Sequence, residues 1–318
     1  MNDLLLRTVP MMGTVVTIQV VGRGTNQPER DEREATVVRA LKWFAQVEAT
    51  CSRFDSRSEL RRLCATVGEP VPVSEMLFEP IRFALAVAQD TEGAFDPTIG
   101  GMMEARGFNR EHRTGAVANS PVATPAGASY RDLELDSEAR TVTLARPLTL
   151  DLGAVAKGLA MDLAARELGP LGDFAIDAGG DVFLGGNNAD GEPWSVGVRH
   201  PRAANELLET ISVSNVAVCT SGDYERAGVA NDGGHHIMDA RVGRSARLLA
   251  SATVIAPHAM VADALATAAF VLGPQAGMKF LEAHGVAGVL YSPALERFAT
   301  AGFAADTAIP HGADTHRG

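Results

Sequence analysis

The sequence has few cysteines and few aromatic residues, and both scarcities narrow what it can be. Three cysteines in 318 residues are an odd number and lack metal-type spacing, so neither a disulfide framework nor a cysteine metal centre is expected. We predict free thiols, buried or at the surface, in a reducing compartment. Aromatic residues make up 5% of the chain, so a single Phe near a polar motif is more informative than usual.

Basic segments are absent as well. The net charge is −11 and the isoelectric point is about 5.2. Sequence-independent nucleic-acid binding needs many Lys and Arg side chains that face phosphates, so nucleic acid is not expected as a partner. An acidic chain that binds a polyphosphate must neutralise it locally, with a metal ion or with backbone N–H groups.

No segment of the sequence is predicted to enter a membrane. The first residues offer three leucines before Arg7, without the basic start and apolar core of a signal peptide, and no lipid-anchor cysteine follows. The apolar run 260–272 is shorter than the roughly 20 residues that cross a bilayer and contains Asp263. We expect a cytoplasmic protein without a membrane span.

Hydrophobic residues make up 46% of the sequence, enough for one large domain over residues 1–304 or for two intimately packed lobes within it. Helices and strands follow in mixed order without repeating βαβ units, which favours an α+β fold. Residues 114–129 are predicted to form a surface loop, and residues 305–318 a loose tail. Apolar periodicity predicts helices at 29–49, 74–89, 154–168, 260–272 and 276–283, and strands at 14–21, 133–135, 141–144, 174–176, 194–198, 208–218, 248–256 and 287–291.

The most informative polar residues are Asp263 and Thr267. They are four positions apart in a predicted helix and so share one face, yet their neighbours are almost all Ala, Val and Leu. An unpaired buried carboxylate is costly, and a carboxylate beside a hydroxyl offers the hard oxygen ligands that suit Mg²⁺. The alternative is an Asp in the first helical turn, favoured by the helix dipole, with Thr267 bonded to a backbone carbonyl.

Two glycine-rich turns could approach a ligand. Residues 151–158 lead from a strand into a helix, where N–H groups and Lys157 suit an anion. The turn at Gly179 and Gly180 follows an apolar strand and places Asp181 near the same ligand. A simple turn and a solvated lysine are the alternatives for each motif taken alone.

Three further segments carry candidate side chains. Residues 220–226 follow a long apolar strand, but Ser221 or Asp223 could equally cap a helix. The adjacent His235 and His236 point in different directions and make a poor metal pair, although one could act as a base near a phosphate. Phe95, in the turn 93–100, could stack on an aromatic ligand or fill a core edge.

Eight sequence motifs, taken together and in this order, resemble those of the FAD:protein FMN transferase (ApbE) family from about residue 10 to residue 292. The motifs are Met12-Gly-Thr14, Phe54 with Ser58-Glu-Leu60, Gly93-x-Phe-Asp-Pro-Thr98, Asp151-Leu-Gly-x-x-Ala-Lys-Gly158, Ala178-Gly-Gly-Asp181, Thr220-Ser-Gly-Asp-Tyr-Glu-Arg226, His236-Ile and Ala262-Asp-x-x-x-Thr267.

The resemblance implies an α+β fold with mixed or antiparallel sheets flanked by helices, and with FAD in a cleft between two lobes. It implies Mg²⁺ on Asp263, Thr267 and the Ala154 carbonyl, and catalytic roles for His236, Asp223 and Lys157. The FAD-binding residues that it implies are Met12, Glu59, Phe95, Asp96, Lys157, Gly179, Gly180, Asp181, Thr220, Ser221, Gly222 and His236.

The implied reaction transfers FMN from FAD to a Thr or Ser hydroxyl of an acceptor redox protein and releases AMP. Two alternatives remain open: a Mg²⁺-dependent FAD pyrophosphatase that gives FMN and AMP, and a flavin-binding protein without catalysis. Many members of the family are exported, in contrast to the cytoplasmic location expected above.

Overall fold

The computed structural model describes residues 3–22, 26–110, 115–118, 120, 123–225, 234–304 and 307–308. Its centre is an eight-stranded sheet with the order β1-β2-β6-β7-β10-β13-β14-β15, in which all neighbouring strands are antiparallel. Three smaller sheets pair β16-β9-β8, β3-β5-β4 and β11-β12. With helices packed against the central sheet, the predicted α+β class is confirmed.

The element bounds give the frame for the site. The helices are α1 Gln27–Cys51, α2 Glu59–Cys64, α3 Glu75–Asp90, α4 Gly100–Ala105, α5 Ala156–Leu168, α6 Ala259–Leu272 and α7 Pro274–Ala283. The strands are β1 Asp3–Met11, β2 Thr14–Gly22, β3 Val71–Pro72, β4 Leu133–Asp136, β5 Thr141–Leu144, β6 Phe174–Ala178, β7 Asp181–Gly185, β8 Trp194–Arg199, β9 Leu207–Val213, β10 Val216–Gly222, β11 Met238–Asp239, β12 Arg244–Ser245, β13 Ser251–Ala256, β14 Ala287–Tyr291, β15 Arg297–Ala299 and β16 Thr307–Ala308.

The central sheet is covered on both faces, as shown by successive side chains of one strand that are buried in two different cores. In β10, Ala217 and Cys219 point into the main core with the helices, whereas Val218 points into a second core. That second core also contains Ile211 of β9 and Val289 of β14, so the small β8–β9 sheet packs on the face opposite the helices. A side-chain period of two places successive residues of one strand in different cores.

The predicted strand 208–218 is wrong as a single element. Asn215 has a φ of +59°, so the chain turns after Val213 and returns as β10. The first half, β9, joins the small sheet, and the second half, β10, joins the central sheet. Apolar residues continue on both sides of Ser214 and Asn215, so the pattern predicts one strand. That polar pair is the turn signal that the prediction passed over.

Three strands of the central sheet were not predicted, namely β1, β7 and the short edge strand β15. β1 contains Pro10, which sequence rules disfavour inside a strand, but it is an edge strand, where a missing N–H is tolerated. β7 begins at Asp181, directly after a two-glycine turn that also closes β6. The division into two lobes stays a prediction. Parts of the predicted loop 114–129 and tail 305–318 lie outside the described residues.

The helices that carry Lys157 and Asp263, α5 and α6, lie on one face of the central sheet. α6 lies on β10 and β13, and α5 packs against both α6 and α1. Most residues of α6 are buried, which explains its uniformly apolar sequence, but the helix is too short to cross a bilayer. Among the described residues, no helix is both long and apolar enough to do so. All three cysteines are buried free thiols.

α5 and α6 touch through their backbones at Gly158. A Cβ built on Gly158 would lie 2.4 Å from Met260 Cα and 2.5 Å from the Ala259 carbonyl oxygen. Atoms that belong to a helix backbone cannot give way as a side-chain tip does, so a residue larger than glycine must separate the two helices. The contact fixes the spacing between the start of α5 and the start of α6.

We expect Gly158→Ala to lower the free energy of unfolding by about 1–3 kcal/mol through overpacking, measured by urea denaturation. Gly169→Ala is the matched control, because Gly169 has a φ of −48° and nothing lies within 4 Å of an added Cβ. That control should be neutral or stabilising by up to about 1 kcal/mol. Equal losses in the two variants would contradict the close contact at Gly158.

Candidate active site

A cavity of about 390 Å³ opens on the helix face of the central sheet, where the start of α5 and one side of α6 meet the ends of several strands. Its lining includes backbone turns, hydroxyls, one lysine and carboxylates, a mixture suited to a polar ligand with an apolar part. Nine of the predicted site residues line it: Met12, Ala154, Lys157, Gly179, Thr220, Ser221, His236, Asp263 and Thr267.

Asp263 is the most unusual group in the cavity. It lies in the second turn of α6 and is only 7% exposed, and its Oδ2 atom is buried without a hydrogen-bond partner among the described residues. The Gly158 backbone N–H donates to the same carboxylate. Burial raises the pKa of Asp263 to about 7, against the opposing effect of the nearby Lys157 cation. A carboxylate in this state lacks a positive partner at one oxygen.

Thr267 follows one turn later and also lines the cavity. Its Oγ1 lies 2.9 Å from Ser221 Oγ at the end of β10. Neither part of the alternative reading of this pair is found: Asp263 lies beyond the first turn of α6, and the hydrogen bond that Thr267 makes is to a hydroxyl of another element. The two residues therefore both line the cavity, one with a carboxylate and the other with a hydroxyl oxygen.

These residues fit a Mg²⁺ ion. The described part of the chain has no group of three or more His, Cys, Asp or Glu side chains that could hold a metal. Mg²⁺ does not need one, since it is usually held by one or two carboxylates and completes its shell with phosphate oxygens and water. The orphaned Oδ2 of Asp263, the Thr267 hydroxyl and the Ala154 segment, all on the cavity wall, match that preference.

Lys157 is the second residue of α5 and forms an ion pair with Asp181 of β7. Asp181 is 2% exposed, and its other oxygen accepts a 2.8 Å hydrogen bond from the Thr220 backbone N–H. Burial acts to lower the pKa of Lys157, but the carboxylates of Asp181 and Asp263 outweigh it and raise that pKa. Lys157 is thus a fixed cation at the cavity wall, and Asp181 positions it from behind.

Two tight turns bring backbone to the cavity. Met12 and Gly13 join β1 to β2, with φ values of +51° and +72°, the conformation of a two-residue hairpin turn. Gly179, with a φ of +71°, joins β6 to β7, and a Cβ there would lie 2.2 Å from Thr14 Oγ1. Only glycine permits this approach, which sets the two turns side by side.

The two histidines point in different directions, as predicted. His235 is buried, and its Nε2 lies 2.7 Å from the Ala246 carbonyl oxygen while its Nδ1 accepts from the Ile237 N–H. Burial lowers the pKa of His235, so its role is structural. His236 lines the cavity, and its Nδ1 lies 3.1 Å from the Glu225 carbonyl oxygen. A carbonyl only accepts, so Nδ1 carries a proton.

Other predicted site residues lie outside the cavity lining. Glu59 accepts hydrogen bonds from the N–H and hydroxyl of Ser74. Phe95 is buried in the main core, as its alternative interpretation expected, and Asp96 accepts from the Thr98 N–H and hydroxyl. Burial raises the pKa of Asp96. Gly180, Asp181 and Gly222 are likewise not among the residues that line the cavity.

Asp223 is held away from the cavity by Arg202. The two side chains form a bidentate pair with both N···O distances at 2.6 Å. Residues 226–233, which include the end of the predicted motif 220–226, lie outside the described residues.

The lining residues that were not predicted to bind a ligand include an aromatic ring and a cation. Phe54 and Arg53 follow the end of α1 and form part of the cavity wall, with the Arg53 guanidinium carbon 4.1 Å from the centre of the Phe54 ring. Phe54 belongs to one of the sequence motifs, and the scarcity of aromatic residues was a usable signal for it. Arg53 had no such signal, since one arginine looks like any other in a sequence.

Comparisons with known proteins agree on one group. A family model described as the ApbE family matches residues 12–290. A Vibrio cholerae protein named FAD:protein FMN transferase is 30% identical over 87% of this chain and 84% of its own. A Treponema pallidum protein of the same name is 32% identical over 83% of this chain and 77% of its own.

The solved structures agree as well. The crystal structure of the ApbE protein from Thermotoga maritima superposes with a TM-score of 0.81 at 29% identity and covers 94% of this chain and 97% of that one. The flavin transferase ApbE from Vibrio cholerae has a TM-score of 0.79 at 25% identity, covering 95% and 98% of the two chains. The α+β architecture is therefore shared over nearly the whole chain.

The pairing of Lys157 with Asp181 predicts an asymmetric response to mutation. Lys157→Met leaves a carboxylate buried without its cation and should lower the free energy of unfolding by about 3–5 kcal/mol. Adding Asp181→Asn in the same chain should recover part of that loss, because the uncompensated charge is gone. Urea denaturation in EDTA measures both.

The matched control for this pair is Lys42→Met on the exposed side of α1, which should stay within about 0.5 kcal/mol of the parent. Strictly additive losses in the double variant would show that the two side chains are not coupled.

Proposed function

This chain belongs to the ApbE family, and we propose that it transfers the FMN half of FAD, with Mg²⁺, to a Thr or Ser hydroxyl of an acceptor redox protein and releases AMP. The family match over residues 12–290 supports the flavin transferase activity. The observation that carries the metal dependence is the buried Asp263 carboxylate, whose Oδ2 has no hydrogen-bond partner although it lies at the wall of a polar cavity.

Transfer of FMN exchanges one phosphorus–oxygen bond for another. The acceptor hydroxyl oxygen attacks the FMN phosphorus, the bond from that phosphorus to the bridging oxygen breaks, and AMP leaves with the bond's electron pair. Negative charge grows on the phosphate oxygens as this happens, so fixed positive groups around them lower the barrier. Asp263, Thr267 and the Ala154 carbonyl would hold Mg²⁺, which supplies charge neutralisation and a template for the pyrophosphate.

Lys157 provides a second fixed cation. Asp181 holds its ammonium group in place, and the Thr220 N–H in turn holds Asp181. The lysine thus needs little rearrangement as charge develops, and preorganised groups of this kind stabilise a transition state most effectively.

His236 is the proposed acceptor of the hydroxyl proton. Its Nδ1–H is directed at the Glu225 carbonyl oxygen, which orients the ring, and the residue lines the cavity. A neutral imidazole is a suitable base near neutral pH. The same argument does not extend to Asp223, because both of its oxygens accept from Arg202.

Intact-mass measurement of an acceptor tests this proposal. The protein is incubated with FAD, Mg²⁺ and a redox-protein domain that carries an exposed Thr. The acceptor should gain the mass of one FMN, and EDTA should abolish the gain. Asp263→Asn, which keeps the shape but removes the charge, should slow transfer at least about 100-fold and should weaken Mg²⁺ binding in the presence of ADP by calorimetry.

Asp190→Asn, in the exposed turn after β7, is the matched control and should transfer FMN at the parent rate. Transfer by Asp263→Asn at that same rate would remove Asp263 from the metal site. Release of AMP and free FMN, with no change in acceptor mass, would identify a pyrophosphatase instead.

A further inference from the structure

Arg53 is a cation at the cavity wall for which the proposed reaction gives no role. It follows the last turn of α1 and is 5% exposed. Its Nε donates to Asp151 Oδ2 and its Nη2 donates to the Phe108 carbonyl oxygen, both at 2.5 Å. Two short bonds to different segments fix the plane of the guanidinium group, so its third nitrogen has one defined direction.

That third nitrogen, Nη1, is buried and has no hydrogen-bond partner within the part of the chain that the structure describes. A guanidinium group stays charged in any protein environment and offers five donors. A buried donor on a cation that is left unpaired costs stability, and native proteins retain such groups where a ligand satisfies them. Arg53 is among the residues that line the cavity, so a ligand that fills the cavity lies against its side chain.

The surroundings of Arg53 indicate which part of a ligand this is. Its guanidinium carbon lies 4.1 Å from the centre of the Phe54 ring, which also lines the cavity. Phe108, whose carbonyl accepts from Arg53, packs in an apolar cluster with Met103, and Met103 lines the cavity too. Aromatic and thioether surfaces suit a flat ring system. Lys157, which suits phosphate, and Asp263, the proposed metal ligand, project from α5 and α6.

We propose that Nη1 of Arg53 donates a hydrogen bond to a carbonyl oxygen of the flavin ring, which makes Arg53 a specificity-determining residue for the flavin half of FAD. This inference rests on the proposed function. The shared chemistry is a hydrogen-bond acceptor, and a pyrophosphate oxygen is the other possible source of one. The two sources belong to separable halves of FAD, riboflavin and ADP.

The link to Asp151 gives the contact a second consequence. Asp151 Oδ2 accepts from Arg53, and its Oδ1 accepts a 2.8 Å bond from the Gly153 N–H. Gly153 precedes Ala154, the proposed source of a carbonyl ligand. The same carboxylate therefore ties the ring-binding arginine to the segment beside the phosphates, and fixes the distance between the two halves of the ligand.

The test compares riboflavin and ADP binding to the parent protein, Arg53→Lys and Arg53→Gln. Lysine keeps the charge beside Asp151 but lacks Nη1. Dissociation constants for riboflavin, read by fluorescence quenching, should rise about 10-fold or more in both variants, since a hydrogen bond from a charged donor is lost. Those for ADP with Mg²⁺ should change less than about 3-fold. The absorption shift of bound riboflavin should also differ between parent and variants.

Arg57→Lys is the matched control, because Arg57 is 88% exposed and pairs with Asp55 outside the cavity; it should bind both ligands as the parent does. Unchanged riboflavin binding in folded Arg53→Lys or Arg53→Gln would overturn the inference and leave the transferase proposal intact. Loss confined to ADP would assign Nη1 to the pyrophosphate and overturn it as well. If the parent itself binds no riboflavin while FMN transfer is absent, both proposals fail.

Discussion

The site depends on one electrostatic constraint, the burial of Asp263 within an apolar helix beside a single lysine cation. Lys157 already neutralises Asp181, so the three groups carry one positive and two negative charges when ionised. A low-dielectric interior tolerates such an imbalance poorly. The arrangement becomes favourable when a cation reaches the Asp263 oxygen that lacks a partner. The proposed metal dependence of the site thus rests on charge balance as much as on the chemistry of the oxygen ligands.

The rest of the fold brings chain segments that are distant in sequence to the cavity that contains these charges. The hairpin turns at Met12 and Gly179 and the end of β10 lie on neighbouring parts of one antiparallel sheet. Because antiparallel strands alternate in direction, turns from one end of the sheet and a strand terminus can meet at the same edge of a cavity. Helices α5 and α6 then add Lys157 and Asp263 from above. No two of these contributions are adjacent in sequence.

The sequence was sufficient to predict the fold class, most of the helices, and those polar residues that stand out because their sequence neighbours are apolar. Asp263 stood out because an acidic residue was surrounded by Ala and Leu, and the structure places it in the cavity wall. The sequence was insufficient where residues in two different structural environments have the same local sequence pattern. Phe95 and Phe54 both lie in short irregular segments, yet Phe95 fills the core and Phe54 lines the cavity. Only the three-dimensional path of the chain separates them, as it separates β9 from β10.

The backbone contact at Gly158 has a broader implication for how this site changes over evolution. Side chains in a core can be exchanged for others of similar volume, and helices shift slightly with each exchange. Two helices that touch through main-chain atoms have no side chain at the contact to exchange, so their separation does not follow such changes. Drift in the surrounding core can therefore alter cavity shape, and with it the choice of ligand, while the spacing between Lys157 and Asp263 is inherited unchanged.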